Sequence, residues 1–225
     1  MKRPRRHHLA ACCAAFALAL AWPPGARADR EELTIALRPA GGVARVAENG
    51  TGERVRVRSR GLAGGASWGV RNWLDLGGEL AAGYLDQATY QMATLPVGTG
   101  PLSGPLTRTT RTAQLRGVAT VRLGVAWVPT VQLAFGAGAR YRTTAMIYSP
   151  TVQGERWLPA DDEGESVTLD LVTGIRAGFE RRLTIHWTIG VSAGVSRVFG
   201  LGTPDLQTTD ANLSFSYSWY PVLSP

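Results

Sequence analysis

The residues able to do chemistry are few in this chain, and they are unevenly placed. It has 225 residues with three His and two Cys, and His7, His8, Cys12 and Cys13 all fall within the first 13 positions. Past that point the one histidine is His186, and no cysteine follows. A single imidazole cannot build a multi-histidine metal site, and without thiols there is no disulfide, CxxC zinc site or sulfur nucleophile. Neither a metal nor a cofactor is expected. Ser192 and Ser196 share the alternation phase of His186, but six and ten extended residues put them on the order of 20 Å or more away, beyond proton-transfer reach. The acidic run Asp161, Asp162, Glu163 and Glu165 reads as a solvated loop, since it lacks the rigid ligand spacing of a cation site. Catalysis is therefore not expected, and the remaining chemistry is that of arginines and carboxylates placed two residues apart.

Part of the charge belongs to a leader. Arg3, Arg5 and Arg6 precede an apolar run from Leu9 to Trp22, and Ala26-Arg27-Ala28 forms a small-x-small cleavage site before Asp29, the layout of a secretory signal peptide over residues 1–28. Leu9-Ala10-Ala11-Cys12 imitates a lipoprotein processing box, but most of the apolar run follows Cys12 instead of preceding it. The formal charge of +7 comes largely from this leader: removing its five basic residues leaves 19 against 17 acids and no lysine at all. Nucleic acid is thus not an expected partner. Residues 29–225 remain as one domain, long enough to close a sizeable fold.

That domain alternates with period two, the mark of strands with two unlike faces. Leu115, Gly117, Ala119, Val121, Leu123, Val125 and Trp127 oppose Gln114, Arg116, Thr120 and Arg122. Val131, Leu133, Phe135, Ala137, Ala139 and Tyr141 oppose Gln132, Arg140 and Arg142. The same reading holds around Leu74–Tyr84, Val167–Glu180, Leu183–Ser196 and Leu213–Trp219, with less regular strands from Leu33 and through Leu62–Val70. Parity slips between Val55-Arg56-Val57-Arg58 and Leu62, which marks either a bulge or the edge of a bilayer. Short turns at 71–72, 128–129 and 181–182 alternate with long connections at about 86–112 and 149–165. This order predicts an all-β fold, an eight-stranded antiparallel up-and-down transmembrane β-barrel.

Alternation alone does not say which face is wet. Here the polar face is mostly Gly, Ser and Thr with a few mixed charges, which suits the inside of a narrow barrel better than a water-exposed surface. Trp68, Trp73, Trp127, Trp187 and Trp219 fall at the short-turn end, and Tyr84 and Tyr141 near the other end, as interfacial aromatic belts do. The chain resembles the small eight-stranded outer-membrane barrels of the OmpA/OmpX type. The likeness rests on this pattern, on Gly-Val-Arg-Asn-Trp-Leu at 69–74, and on the alternating last strand Leu213 to Trp219. In that family the last strand is an assembly signal ending at the C-terminal residue, whereas here Pro221 to Pro225 follow. The resemblance implies a fold and a place in the bacterial outer membrane, among its lipids.

On this reading the lumen holds Asp75, Glu79, Arg116, Arg122, Arg140, Arg142, Asp170, Arg176 and Glu180, with His186 near the short-turn rim. Glu79 with Arg122, and Arg140 with Asp170, are the expected ion pairs, since opposite charges in a low-dielectric bore hold each other ionised. A largely filled, salt-bridged barrel with a structural or surface-interaction role is the leading expectation. A narrow channel for small solutes is second, and a lipid-modifying barrel enzyme a distant third. Arg54, Arg56, Arg58 and Arg60 alternate on one face at the long-loop end, where guanidinium groups can engage phosphates of surface glycolipid.

Overall fold

In a computed structural model, described for residues 32–47, 53–97, 100–123, 127–147, 156–157, 164–200 and 205–219, eight antiparallel strands close into a ring. They are β1 (Leu33–Ala47), β2 (Arg54–Arg71), β3 (Leu74–Val97), β4 (Gly100–Arg122), β5 (Trp127–Ile147), β7 (Glu165–Arg182), β8 (Trp187–Gly200) and β9 (Leu206–Trp219). Each pairs with the next, and β9 returns to β1. The two-residue β6 (Arg156–Trp157) adds to the far end of β5. The expected signal peptide, the Pro221–Pro225 tail and the acids 161–163 lie outside the described residues.

The register sets the bore. From Gly65, paired residues lead through Glu79, Arg116, Gly136, Val172, Val198, Leu206 and Val46 back to β2 at Val55, ten residues from the start. That stagger requires strands tilted by roughly 35–45°, around an interior just wide enough for side chains.

Burial is inverted relative to a water-soluble sheet sandwich. Leu80 is 66% exposed while its neighbour Glu79 is 1% exposed. Phe135 and Ile185 are 64% and 69% exposed, while Arg140 is 1% exposed. Side chains of alternating residues project to opposite faces, so the apolar phase of every strand forms an outer band. Exposed large apolar residues this extensive are stable only against hydrocarbon, and a closed sheet leaves no unpaired edge there.

Several boundaries differ from expectation. The connection expected over 86–112 is a continuation of β3 and β4 as a long hairpin, with irregularities between Leu85 and Ala88 and between Tyr90 and Ala93. Pro39, Gly41 and Gly42 do not interrupt β1; pairing to β9 lapses only between Leu37 and Ala40, as a proline without N–H requires. β4 ends at Arg122 and Trp127 opens β5, so Val128 and Pro129, expected as a turn, lie within β5. β8 starts at Trp187, four residues later than expected. Thr184 Oγ1 accepts hydrogen bonds from the backbone N–H groups of His186 (3.2 Å) and Trp187 (3.0 Å), and such a side-chain bond competes with the ladder.

The parity slip in β2 has a clear origin. β1 and β2 stay in unbroken register from Leu33↔Trp68 to Ala47↔Arg54, so there is no bulge between them. The polarity of the two faces swaps instead. Above Gly61 the outward residues are Arg54, Arg56, Arg58 and Arg60, and Val57 turns inward to join Ala44, Val46, Leu85, Ala88, Tyr90, Leu106, Val172, Val198 and Leu206 in an internal apolar cluster. Beyond the bilayer water lies outside, so the usual preference for a greasy interior returns.

Candidate functional site

The inward charges stand in layers. Nearest the short turns, Arg182 meets Glu32 at 3.0 Å. His186, expected in the lumen, is not one of these inward charges: its Nδ1 lies 2.9 Å from the Ser218 carbonyl, and its ring stacks on the outward-facing Tyr217 with centroids 5.3 Å apart. One layer further in, Arg122 bridges Asp75 (2.5 Å) and Glu180 (3.2 Å). In mid-bore the Glu79 carboxylate receives Arg38 (2.7 Å), Arg176 (3.2 Å) and Arg116. Arg176 also donates to Gln132 Oε1 at 2.9 Å. Towards the loops Arg140 grips Asp170 with two bonds, Nε at 2.9 Å and Nη2 at 2.7 Å.

Eight of the nine residues expected in the lumen network thus take part in ion pairs. Arg140 pairs with Asp170 as expected. The Glu79–Arg122 pair does not form, because the register sets Arg116 directly opposite Glu79 and carries Arg122 six residues further along β4. Arg142 is buried and inward, yet none of the ion pairs among the described residues includes it. Arg38, Arg182 and Glu32 were not anticipated. Arg38 was legible in principle, since it shares the phase of Ala36 and Ala40, opposite to Ile35 and Leu37.

Glycine makes room for these side chains. Six of the charged residues have a glycine as a cross-strand partner: Asp75 faces Gly69, Glu79 faces Gly65, Arg116 faces Gly136, Asp170 faces Gly138, Arg176 faces Gly194 and Glu180 faces Gly190. At Gly194 an added Cβ would come within 2.5 Å of Arg176 Cγ and 2.7 Å of the Ile175 carbonyl oxygen. At Gly190 it would meet Glu180 Cγ at 2.8 Å. The guanidinium and carboxylate groups reach across the bore through volume that the glycines leave open.

Two small cavities flank the mid-bore layer. The one on the loop side has about 80 Å³ and is lined in part by Gln114, Arg116, Ser196, Thr208, Asp210 and Asn212. The one on the turn side has about 20 Å³, among Arg38, Thr120, Gln132, Arg176, Ser192 and Ser214. At ~30 Å³ per water molecule they suit a few waters at most.

Outside, Trp68, Trp73, Trp127, Trp187 and Trp219 are exposed at the short-turn end. Trp68 and Trp219 flank Leu33 in register, Trp187 meets Tyr217 edge-on at 5.1 Å, and Arg181 lies 5.2 Å over the Trp127 ring. At the loop end Arg60, Tyr84, Arg111 and Tyr141 form one cross-strand row. Arg54, Arg56 and Arg58 stand exposed beyond it, with Arg45 opposite Arg56. Arg60 approaches Asp86 at 4.0 Å.

Closed up-and-down topology, an outward apolar band and an inward polar face define a transmembrane β-barrel of the outer-membrane class. Among solved structures the chain is similar to Ail, the attachment invasion locus protein of Yersinia pestis, with TM-score 0.51 and 15% identity over 85% of this chain and 100% of that one. Neisserial surface protein A aligns with TM-score 0.43 and 9% identity over 83% of this chain and 97% of that one. The N-terminal barrel domain of Pseudomonas aeruginosa OprF aligns with TM-score 0.40 and 14% identity over 84% and 98%. No protein-family model matches the chain, and no curated protein matches it by sequence. The protein therefore has the fold of the small eight-stranded outer-membrane barrels, and that fold does not specify an activity.

Proposed function

We propose that this is a plugged outer-membrane barrel, exported by residues 1–28, whose role is structural or surface-interacting and not solute-conducting. The observation that carries the reading is Glu79: its side chain is buried in mid-bore and engaged by arginines from β1, β4 and β7, on different sides of the ring. A solute passing this level must part three ion pairs at once in a poorly solvated interior, which is far costlier than displacing water. Planar-bilayer recording tests it. The plugged barrel gives no unitary steps above background, whereas reproducible single-channel steps from the folded protein would establish the narrow channel instead.

The partner side of the proposal rests on the outward row of Arg54, Arg56, Arg58 and Arg60, standing just beyond Tyr84. Guanidinium groups at this height meet the phosphate level of an outer-leaflet glycolipid and can engage it bidentately. Replacing all four with Gln is expected to weaken binding to lipid A vesicles without changing the heat-modifiable migration of the folded barrel. Unchanged vesicle binding would remove glycolipid as the partner of this face.

A further inference from the structure

Arg142 has no place in the mid-bore network. It points into the barrel one residue past Tyr141, on the loop side of the aromatic row and outside the membrane-spanning part of β5. It is 4% exposed, and its Nε has no hydrogen-bond partner. Arg116 Nε also lacks a hydrogen bond, but Arg116 holds Glu79 through Nη2, and Arg122 holds Asp75 and Glu180; for Arg142 no acid fills that role among the described residues.

Its surroundings add positive charge. Arg140 stands two residues away on the same face, and Arg108 lies on β4 one inward position beyond Thr110, the cross-strand partner of Arg142. Arg108 Nε donates to Thr144 Oγ1 at 3.3 Å, and its guanidinium packs 5.8 Å from the Tyr90 ring. Asp170 is engaged by both bonds from Arg140. Glu165 is exposed and lies beside Tyr141, whose side chain is on the outward face. Burial, and then the fields of Arg140 and Arg108, push the Arg142 guanidinium down to about 10, with Asp170 offsetting part of this. A buried cation with an unmet donor is expensive unless something anionic joins it.

We propose that Arg142 anchors an oxyanion site in the loop-side mouth of the barrel, suited to a tetrahedral anion such as a phosphate monoester, inorganic phosphate or sulfate. The fork of a guanidinium matches two oxygens of such a group. The site lies above the Glu79 layer and is independent of whether the bore conducts.

The test uses the full folded barrel in an uncharged, phosphate-free detergent, titrated calorimetrically with inorganic phosphate and with sulfate. A parallel arm uses vesicles with and without a phosphomonoester headgroup lipid. Saturable binding of the free anion assigns a soluble ligand, and binding confined to the phosphomonoester vesicles assigns a headgroup; either supports the site. R142M is expected to weaken binding about tenfold or more, as loss of a charge-assisted bond pair implies, while R71M, at the exposed short-turn end, leaves it intact. R142M removes a cation that has no acid partner among the described residues, so it is expected to fold. R142K, which keeps the charge and loses the fork, is expected to bind more weakly than wild type and serves as the second variant. No saturable binding by the wild type in either arm, or equal binding by wild type, R142M and R142K, or equal loss in R71M and R142M, would overturn the proposal.

Discussion

Glu79→Gln is the most informative single change. The substitution keeps the size of the side chain and its hydrogen-bonding capacity but removes the one negative charge shared by Arg38, Arg116 and Arg176. Deleting one partner of a buried ion pair costs roughly 3–5 kcal/mol, because the remaining charge is left uncompensated. Here three guanidinium groups lose a common counterion. Arg176 keeps Gln132, so the losses do not simply multiply, and the expected destabilisation stays near 3–5 kcal/mol. At 1.36 kcal/mol per factor of ten, even the lower figure shifts the folded-to-unfolded ratio by about a hundredfold or more. The assay is urea unfolding in phospholipid vesicles, followed by tryptophan emission, because the belt residues leave the interface for water on unfolding. The double variant E79Q/R116Q should recover part of the loss by removing one of the repelling cations. A stability change within about 1 kcal/mol, accompanied by a sharp rise in conductance, would refute the bracing role and show that the layer is a gate.

Other perturbations separate the two faces of the wall. Asp170→Asn leaves Arg140 without its twin-bonded carboxylate and should lower the urea midpoint with an unchanged slope, at a cost again of about 3–5 kcal/mol. Gly194→Leu drives a side chain into Arg176 Cγ and the Ile175 carbonyl; overpacking of this kind costs about 1–3 kcal/mol, and semi-native electrophoresis should show less of the compact folded band. Phe135→Arg places a cation on the lipid face, which costs about 2–4 kcal/mol at the bilayer midplane; the same assay in vesicles should show a clear loss, whereas a neutral outcome would mean that this face is not in hydrocarbon.

Strand number, alternation phase and orientation were readable because hydrocarbon outside and a narrow bore inside force opposite residue types onto adjacent positions, as at Leu80 and Glu79 or Leu115 and Arg116. The extensions of β3 and β4 past Leu85 were hidden for the converse reason. Beyond the bilayer neither face is compelled to be greasy, so a stretch such as Thr107-Arg108-Thr109-Thr110 pairs as a strand without announcing it. The internal apolar cluster was missed because its members carry the inward phase: Val172 and Val198 sit where Gly, Ser or charge was expected. Pairings depended on stagger, and this is why Glu79 found Arg116 instead of Arg122. Arg140 and Asp170 were matched correctly because they lie on neighbouring strands, two residues out of direct register.

The facing glycines give the wall an unusual latent property. With Glu79 and its three arginines shortened together to serine or alanine, nothing bulky would replace them at that level, because Gly65, Gly136 and Gly194 contribute no side chains of their own. The two cavities would then merge into a continuous water thread without any change to backbone or strand number. That thread would stay local, because the Arg122 layer on one side and the Arg140–Asp170 pair on the other would still stand in the bore.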